Sequence, residues 1–293
     1  MPELPPGRRS SIARALDEAA GQLERAGVLN AKREATALWA AVERVKPGEV
    51  WLKREGTAAP PVAEQFWEAV QRRSSGIPFP YAVGRVSFRT LELSIDPRAL
   101  IPRPETEGLV DLVLQWAGRR PNGVAVDVGT GCGCIALALA MEGLFERVIA
   151  TERSPETAAL ARENAALVNP RTPVEIREGD LLAPLAGGRY RVIVSNPPYL
   201  TEEEYASLAP AVRLFEPSTA LVSGPDGLDA TRALFAGAAP LLEPGGMLVL
   251  EIDERRADRV HALAHEHGWR RIGIHNDLFG RLRYALAFPK EDA

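Results

Sequence analysis

Val124-Ala-Val-Asp-Val-Gly-Thr-Gly-Cys-Gly-Cys-Ile-Ala-Leu-Ala-Leu-Ala140 joins two apolar runs through a turn that holds three glycines. Val124–Val128 suits a strand buried on both faces, and Cys134–Met141 suits a buried helix. Gly129, Gly131 and Gly133 let the backbone turn tightly and leave no side chain between it and a ligand. In open α/β sheets, ligands bind beyond the carboxyl ends of the strands, where this turn would sit. A glycine-rich connection that holds no ligand is the alternative at this point.

The alternation continues to the end of the chain. Further strands are expected at Arg147–Thr151, Val174–Glu178, Arg191–Ser195, Met247–Ile252, Arg271–His275 and Arg283–Phe288. Helices are expected at Pro155–Val168, Leu228–Leu241 and Arg255–His267. Repeated strand–helix–strand units imply a mostly parallel, seven-stranded sheet covered on both faces. The last two strands lack a long helix between them, which makes their pairing antiparallel. Such an α/β sheet resembles the Rossmann-like class I methyltransferase fold.

Upstream, the period changes. Ala13, Leu16, Ala20, Leu23 and Ala26 recur at helical spacing within Ala13–Leu29. Ala31–Val45 repeats the pattern, Pro60-Pro61 interrupts it, and Val62–Arg73 resumes it. Ser10 to about Ser75 therefore reads as a small helical unit. Gly76-Ile-Pro-Phe-Pro80 breaks the periodicity, and the alternation of Val86, Phe88, Leu91, Leu93 and Ile95 about Arg89-Thr90 reads as a hairpin. The expected organisation is a helical domain over 1–80, a hairpin linker over 81–100 and a catalytic domain over 101–293.

The 293 residues are 46% hydrophobic and 25% charged, ordinary for a soluble domain, and the net charge is -4. An acidic balance argues against a protein that grips long nucleic acid by its phosphates. No run of about 18 apolar residues reads as a membrane span, and the first residues lack the apolar core of a secretory signal. Cys132 and Cys134, inside the glycine turn, are poorly placed to staple a fold, which fits a reducing cytoplasm. They read as packing residues. No metal site is expected: His261, His265 and His267 share one helical segment without a carboxylate or thiol partner. Arg255-Arg256-Ala-Asp-Arg259 reads as a solvated face.

The glycine turn discriminates between nucleotides. A dinucleotide fingerprint would need glycine at 134, where the chain has Cys134, and Asp127 would repel phosphate. Asp127 would suit the cationic methionine end of S-adenosylmethionine. Glu152 ends the next strand, nineteen residues after Gly133, where a carboxylate can accept from both ribose hydroxyls. Taken alone, Glu152 also reads as a solvated residue before the Ser154-Pro155 helix start. Asp180 and Leu181 follow the third strand, where they can meet the adenine amine and ring, although a polar turn explains them equally well.

Ser195-Asn-Pro-Pro-Tyr199 ends the fourth strand. Two prolines fix φ and remove two donors, so the loop offers carbonyls and the Asn196 amide. A target NH2 group has two protons, which the Asn196 side-chain oxygen and the Pro197 carbonyl can accept, while Tyr199 stacks on the planar group. An amide nitrogen is a poor nucleophile, and holding both N–H bonds raises its electron density and aims it.

Together with Ile101-Pro-Arg-Pro-Glu-Thr-Glu107, Phe215-Glu-Pro217, Gly224-Pro-Asp-Gly-Leu228, Pro244-Gly-Gly246, Leu250-Glu-Ile252 and Asp277-Leu-Phe-Gly280, these motifs resemble the HemK/PrmC family of release factor glutamine methyltransferases over nearly the whole chain. The resemblance implies that Gly129, Thr130, Gly131, Cys132, Gly133, Glu152, Leu181 and Asn196 contact S-adenosylmethionine. It implies that Asn196, Pro197, Pro198 and Tyr199 hold the glutamine of a Gly-Gly-Gln loop in a class I release factor, and that the enzyme is a cytoplasmic monomer. Glu152 stands where the family commonly has Asp, and Cys132 and Cys134 replace small or hydroxyl residues. The alternatives are glutamine methylation of a ribosomal protein, adenine amino-methylation in nucleic acid, and a non-catalytic nucleotide-binding protein.

Overall fold

A computed structural model describes residues 11–118 and 123–289. The expected helix start at Ser10 and the first residues, read as lacking a secretory signal, lie outside the described residues. The chain divides into two compact units between Arg85 and Val86.

The first unit is helical: α1 (Ile12–Arg25), α2 (Ala31–Glu43), α3 (Pro47–Lys53), α4 (Pro60–Ser74) and α5 (Phe79–Val83). Its core holds Leu23, Leu38, Trp39, Phe66 and Val70, with the Trp39 and Phe66 rings 4.6 Å apart. Burying an aromatic of this kind is worth roughly 1.5–3 kcal/mol. Trp39 keeps its polar edge satisfied by donating Nε1–H to Glu43 at 2.8 Å. Pro60-Pro61 opens α4 instead of interrupting a helix, because the first helical turn needs no backbone donor there.

The second unit begins with a hairpin, β1 (Arg85–Phe88) and β2 (Leu91–Ser94), whose turn residue Arg89 takes a φ of 54°. Arg89 accounts for the hairpin's seat, since its N–H donates to Glu107 and its guanidinium to Glu142. After α6 (Pro104–Ala117) the α/β alternation runs β3 (Val124–Val128), α7 (Cys134–Glu142), β4 (Arg147–Glu152), α8 (Pro155–Val168), β5 (Val174–Glu178) and β6 (Tyr190–Ser195). Two short helices, α9 (Glu202–Ala206) and α10 (Pro210–Phe215), precede α11 (Asp229–Ala238), β7 (Leu242–Glu251), α12 (Ala257–Glu266), β8 (Arg271–Asn276) and β9 (Leu282–Phe288).

The seven strands lie in the order β5-β4-β3-β6-β7-β9-β8. Only β9 runs against the rest, pairing antiparallel with both β7 and β8. Val124, Val126 and Val128 pack with Leu234, Phe235 and Val260 from α11 and α12. The alternate residue Asp127 points to α7, on the opposite face. β7 starts five residues earlier than Met247, taking in Pro244-Gly-Gly246 with a register shift opposite Tyr190–Val192. Arg256 is not solvated: it pairs with Glu204 and Asp253 at 2.6 Å each and donates to the Asp226 carbonyl, linking α9 to the loop before α11.

Candidate active site

β3 and β6 are neighbours, so the glycine turn and the Asn-Pro-Pro-Tyr loop leave the sheet side by side. Ser195 Oγ donates to the Val128 carbonyl at 2.7 Å and ties the two strand ends together. Beyond them lies a cavity of about 1040 Å³. Gly129, Thr130, Gly131, Cys132, Glu152, Asp180, Leu181, Asn196, Pro197 and Pro198 all line it.

Gly129, Gly131 and Gly133 take φ of 71°, 58° and 90°, the left-handed region that favours glycine. A Cβ on Gly129 or Gly131 would meet nothing within 4 Å, so that stretch of backbone faces open space. Gly133 differs: its missing Cβ lets the backbone close against Leu137 and Ala161. Glu152 braces this turn, accepting from Gly131 N at 3.1 Å and from Ser154 N at 3.0 Å. Leu181 holds a φ of 44°, unusual for a branched side chain, and its carbonyl accepts from Thr151 Oγ1 at 2.9 Å.

Three of the expected residues, Gly133, Asp127 and Tyr199, are not among those that line the cavity. Asp127 is buried beneath the turn, where its Oδ2 accepts from Thr130 Oγ1 at 2.6 Å and Ala136 N at 3.1 Å. Its alternation along β3 directs it to α7 instead of the strand's end. Burial pushes its carboxyl up to about 7, against the pull of those two hydrogen bonds. The other oxygen, Oδ1, has no hydrogen-bond partner among the described residues. Tyr199 is not among the residues that line the cavity, and its backbone N–H donates to the Leu221 carbonyl at 3.1 Å. Burial, with a smaller contribution from the charge of Glu251, raises its hydroxyl to about 12, so it stays protonated.

Sequence reasoning missed three side chains that shape the site. Glu216, almost fully buried, accepts from Ile101 N and from the Arg103 guanidinium, and so fastens the Ile101–Arg103 wall to the Phe215–Pro217 wall. Thr106 lines the cavity from α6 and receives Asn196 Nδ2–H at 3.1 Å. Glu251, at the end of β7, receives the Thr106 hydroxyl at 2.7 Å. The only signal for them was their place in the quoted motifs.

A sheet with one antiparallel strand, a glycine turn after β3 and a proline-stiffened loop after the adjacent β6 define a class I methyltransferase. Residues 110–225 match the methyltransferase small domain, and residues 14–84 match the PrmC N-terminal domain. The chain is 38% identical to the release factor glutamine methyltransferase of Moorella thermoacetica over 96% of its own length and 100% of that relative's. It is 40% identical to the enzyme of the same name from Deinococcus radiodurans, over 93% and 96% of the two chains. The chain belongs to the release factor glutamine methyltransferase family. In fold it also resembles a Pyrococcus furiosus methyltransferase (TM-score 0.53, 22% identity, 74% of this chain and 98% of that one). A second likeness is to the hMettl16 catalytic domain crystallised with a MAT2A 3'UTR hairpin (TM-score 0.57, 17% identity, 80% and 83%). Among the described residues, no helix is long and apolar enough to cross a membrane.

Proposed function

We propose that this enzyme transfers a methyl group from S-adenosylmethionine to the side-chain amide nitrogen of the glutamine in the Gly-Gly-Gln loop of a class I peptide chain release factor. The observation that carries this reading is Asn196 in the cavity lining, with its Nδ2 committed to Thr106 and its Oδ1 without a partner among the described residues. That oxygen and the Pro197 carbonyl can accept the two protons of a planar NH2 group, which aims the nitrogen.

The residues present fit the cofactor. Open backbone at Gly129 and Gly131 admits its methionine end closely. Glu152 spends one hydrogen bond on each oxygen and retains lone pairs for ribose hydroxyls. Asp180 and Leu181 line the wall for the adenine amine and ring. Asp127 serves the same turn from beneath, fixing Thr130 and the start of α7, instead of touching the ligand. When bound, S-adenosylmethionine supplies an electrophilic methyl group on a positively charged sulfur. Tyr199, held through its backbone N–H by the Leu221 carbonyl, is read as completing the loop that holds the target amide.

The helical unit up to about residue 80 is read as the docking domain for the body of the release factor, which acts in the cytoplasm. Specific interfaces bury roughly 800 Å² per partner, more than one loop in a cavity supplies. The deciding experiment is tandem mass spectrometry of a class I release factor incubated with enzyme and S-adenosylmethionine. Gain of one methyl group on the Gly-Gly-Gln glutamine is expected, whereas methylation only of a ribosomal protein or of adenine would refute the reading.

A further inference from the structure

Asn196 can accept a target N–H only if its oxygen, not its NH2, faces the cavity, and an amide is nearly symmetric in shape. Something must therefore choose between two orientations related by a half-turn. Two hydrogen bonds behind Asn196 do so. Thr106 Oγ1 lies 2.7 Å from Glu251 Oε2 and 3.1 Å from Asn196 Nδ2, and Glu251 itself is buried off the cavity wall. An ionised carboxylate only accepts, so the Thr106 hydroxyl must donate its single proton to Glu251. What remains toward Asn196 is a lone pair, which can be met only by the amide NH2.

We infer that Glu251 and Thr106 are positioning residues that act through one hydroxyl to fix which end of the Asn196 amide meets the substrate. The inference rests on the methyl-transfer reading of the site for its kinetic consequence, but the amide orientation is a property of the protein alone. Neither residue needs to touch the reacting atoms. The chain spans 145 positions between Thr106 and Glu251 and 90 between Thr106 and Asn196, so α6, β7 and the loop after β6 must all be in place before the orientation is set.

Protonating Glu251 would remove that constraint. Its carboxyl can then donate to Thr106, which frees the Thr106 hydroxyl to donate to the amide oxygen and lets the NH2 group turn to the cavity. The groups about Glu251 are Thr106, Glu105 and Arg103 from α6 and its approach, Arg283 and Tyr284 from β9, and Tyr199 from the loop after β6. Burial, with a smaller contribution from Glu105, pushes the carboxyl up to about 7; Thr106, Arg283 and Arg103 pull against it. The orientation is thus enforced above that pH and only permitted below it, where both orientations are populated. A glutamine amide does not titrate in this range, so an acid limb in turnover reports the enzyme.

The test uses the full-length enzyme with Thr106→Val, which keeps shape and removes the hydroxyl, and Thr106→Ser, which restores it. Thermal melting checks that both fold. Thr106→Val is expected to lose roughly tenfold to a hundredfold in kcat, with KM for S-adenosylmethionine little changed, as misorientation of one group typically costs. Thr106→Ser should recover most of that loss and keep the acid limb that Thr106→Val lacks. Independently of activity, the Asn196 side-chain NH2 resonances in 15N-labelled wild type should shift between the two sides of pH about 7, and those of Thr106→Val should not. Wild-type kcat in Thr106→Val, equal impairment in Thr106→Ser, or amide resonances that ignore pH in the wild type would each overturn the inference. If wild type methylates no release factor glutamine, the substrate reading fails, while the resonances still decide the relay.

Discussion

Arg103 and Glu216 meet at 2.7 Å across the cavity rim, and the second oxygen of Glu216 takes the backbone N–H of Ile101 at 3.1 Å. One nearly buried carboxylate thus clamps two segments 113 residues apart in sequence. Removing it strands a buried N–H and leaves the guanidinium without its partner.

Glu216→Ala is therefore expected to cost about 1–3 kcal/mol, discounted from the fully buried case because Arg103 is one-third exposed to water. Glu216→Gln, which can still accept from Ile101 N, should cost about half as much. Urea unfolding of the two variants measures the difference, and equal midpoints for Glu216→Ala and wild type would refute the clamp.

A second expectation concerns pH. Asp127 has its folded-state value raised to about 7 from 3.8, so the native state holds the proton more tightly than the unfolded chain. Its contribution is fully present below pH about 4 and is lost as pH rises through about 7, by an amount of the order of a few kcal/mol. Glu251 acts in the same direction. Asp127→Asn, which retains an acceptor for Thr130 and Ala136, should flatten the fall in melting temperature between those limits; an unchanged slope would count against it.

At the cofactor turn, Gly131→Val places a branched side chain in open space at a φ of 58°. The strain costs roughly 1–2 kcal/mol, which a folded domain tolerates. Binding of S-adenosylmethionine should be abolished by calorimetry, and unchanged affinity in a folded variant would move the cofactor elsewhere.

For the chemistry, Asn196→Ala should lose on the order of a hundredfold or more in turnover, as loss of one preorganised contact does. Its melting temperature should move little, because Asn196 is only partly buried. Near-normal transfer by this variant would remove Asn196 from the mechanism.

The helical unit carries large apolar side chains in water: Leu29 is 85% exposed, Trp51 62% and Leu52 79%. If this unit docks the release factor, the pair Trp51→Ala and Leu52→Ser should raise KM for the whole protein and leave a short Gly-Gly-Gln peptide almost unaffected. Equal effects on protein and peptide would assign these residues to folding instead.

What the sequence made legible was local. The turn from Val128 to Gly133 demands left-handed backbone, and only glycine supplies it cheaply, so the reading and the structure agree residue by residue. The β3 and α8 boundaries matched for the same reason: an apolar run, then Ser154 capping Thr157 N with Pro155 behind it. Pro60-Pro61 misled because proline both breaks helices and begins them, and the distinction depends on which side the hydrogen bonds lie. Asp127 was assigned to the cofactor by its charge, whereas the strand pleat directs its side chain to α7. Arg256 looked like surface charge until α9 supplied Glu204. Thr106 and Glu251 stood inside quoted motifs, but their partnership exists only once distant segments meet.

The seam between β3 and β6, closed by Ser195 Oγ on the Val128 carbonyl, has an implication for divergence within the fold. Adjacent strands keep a separation of about 4.8 Å whatever their side chains. Donor and acceptor loops thus inherit their spacing from the ladder itself, not from the rim or the helical unit. Replacing peripheral elements to recruit a different protein would leave that spacing untouched, so recognition and transfer can evolve on separate schedules.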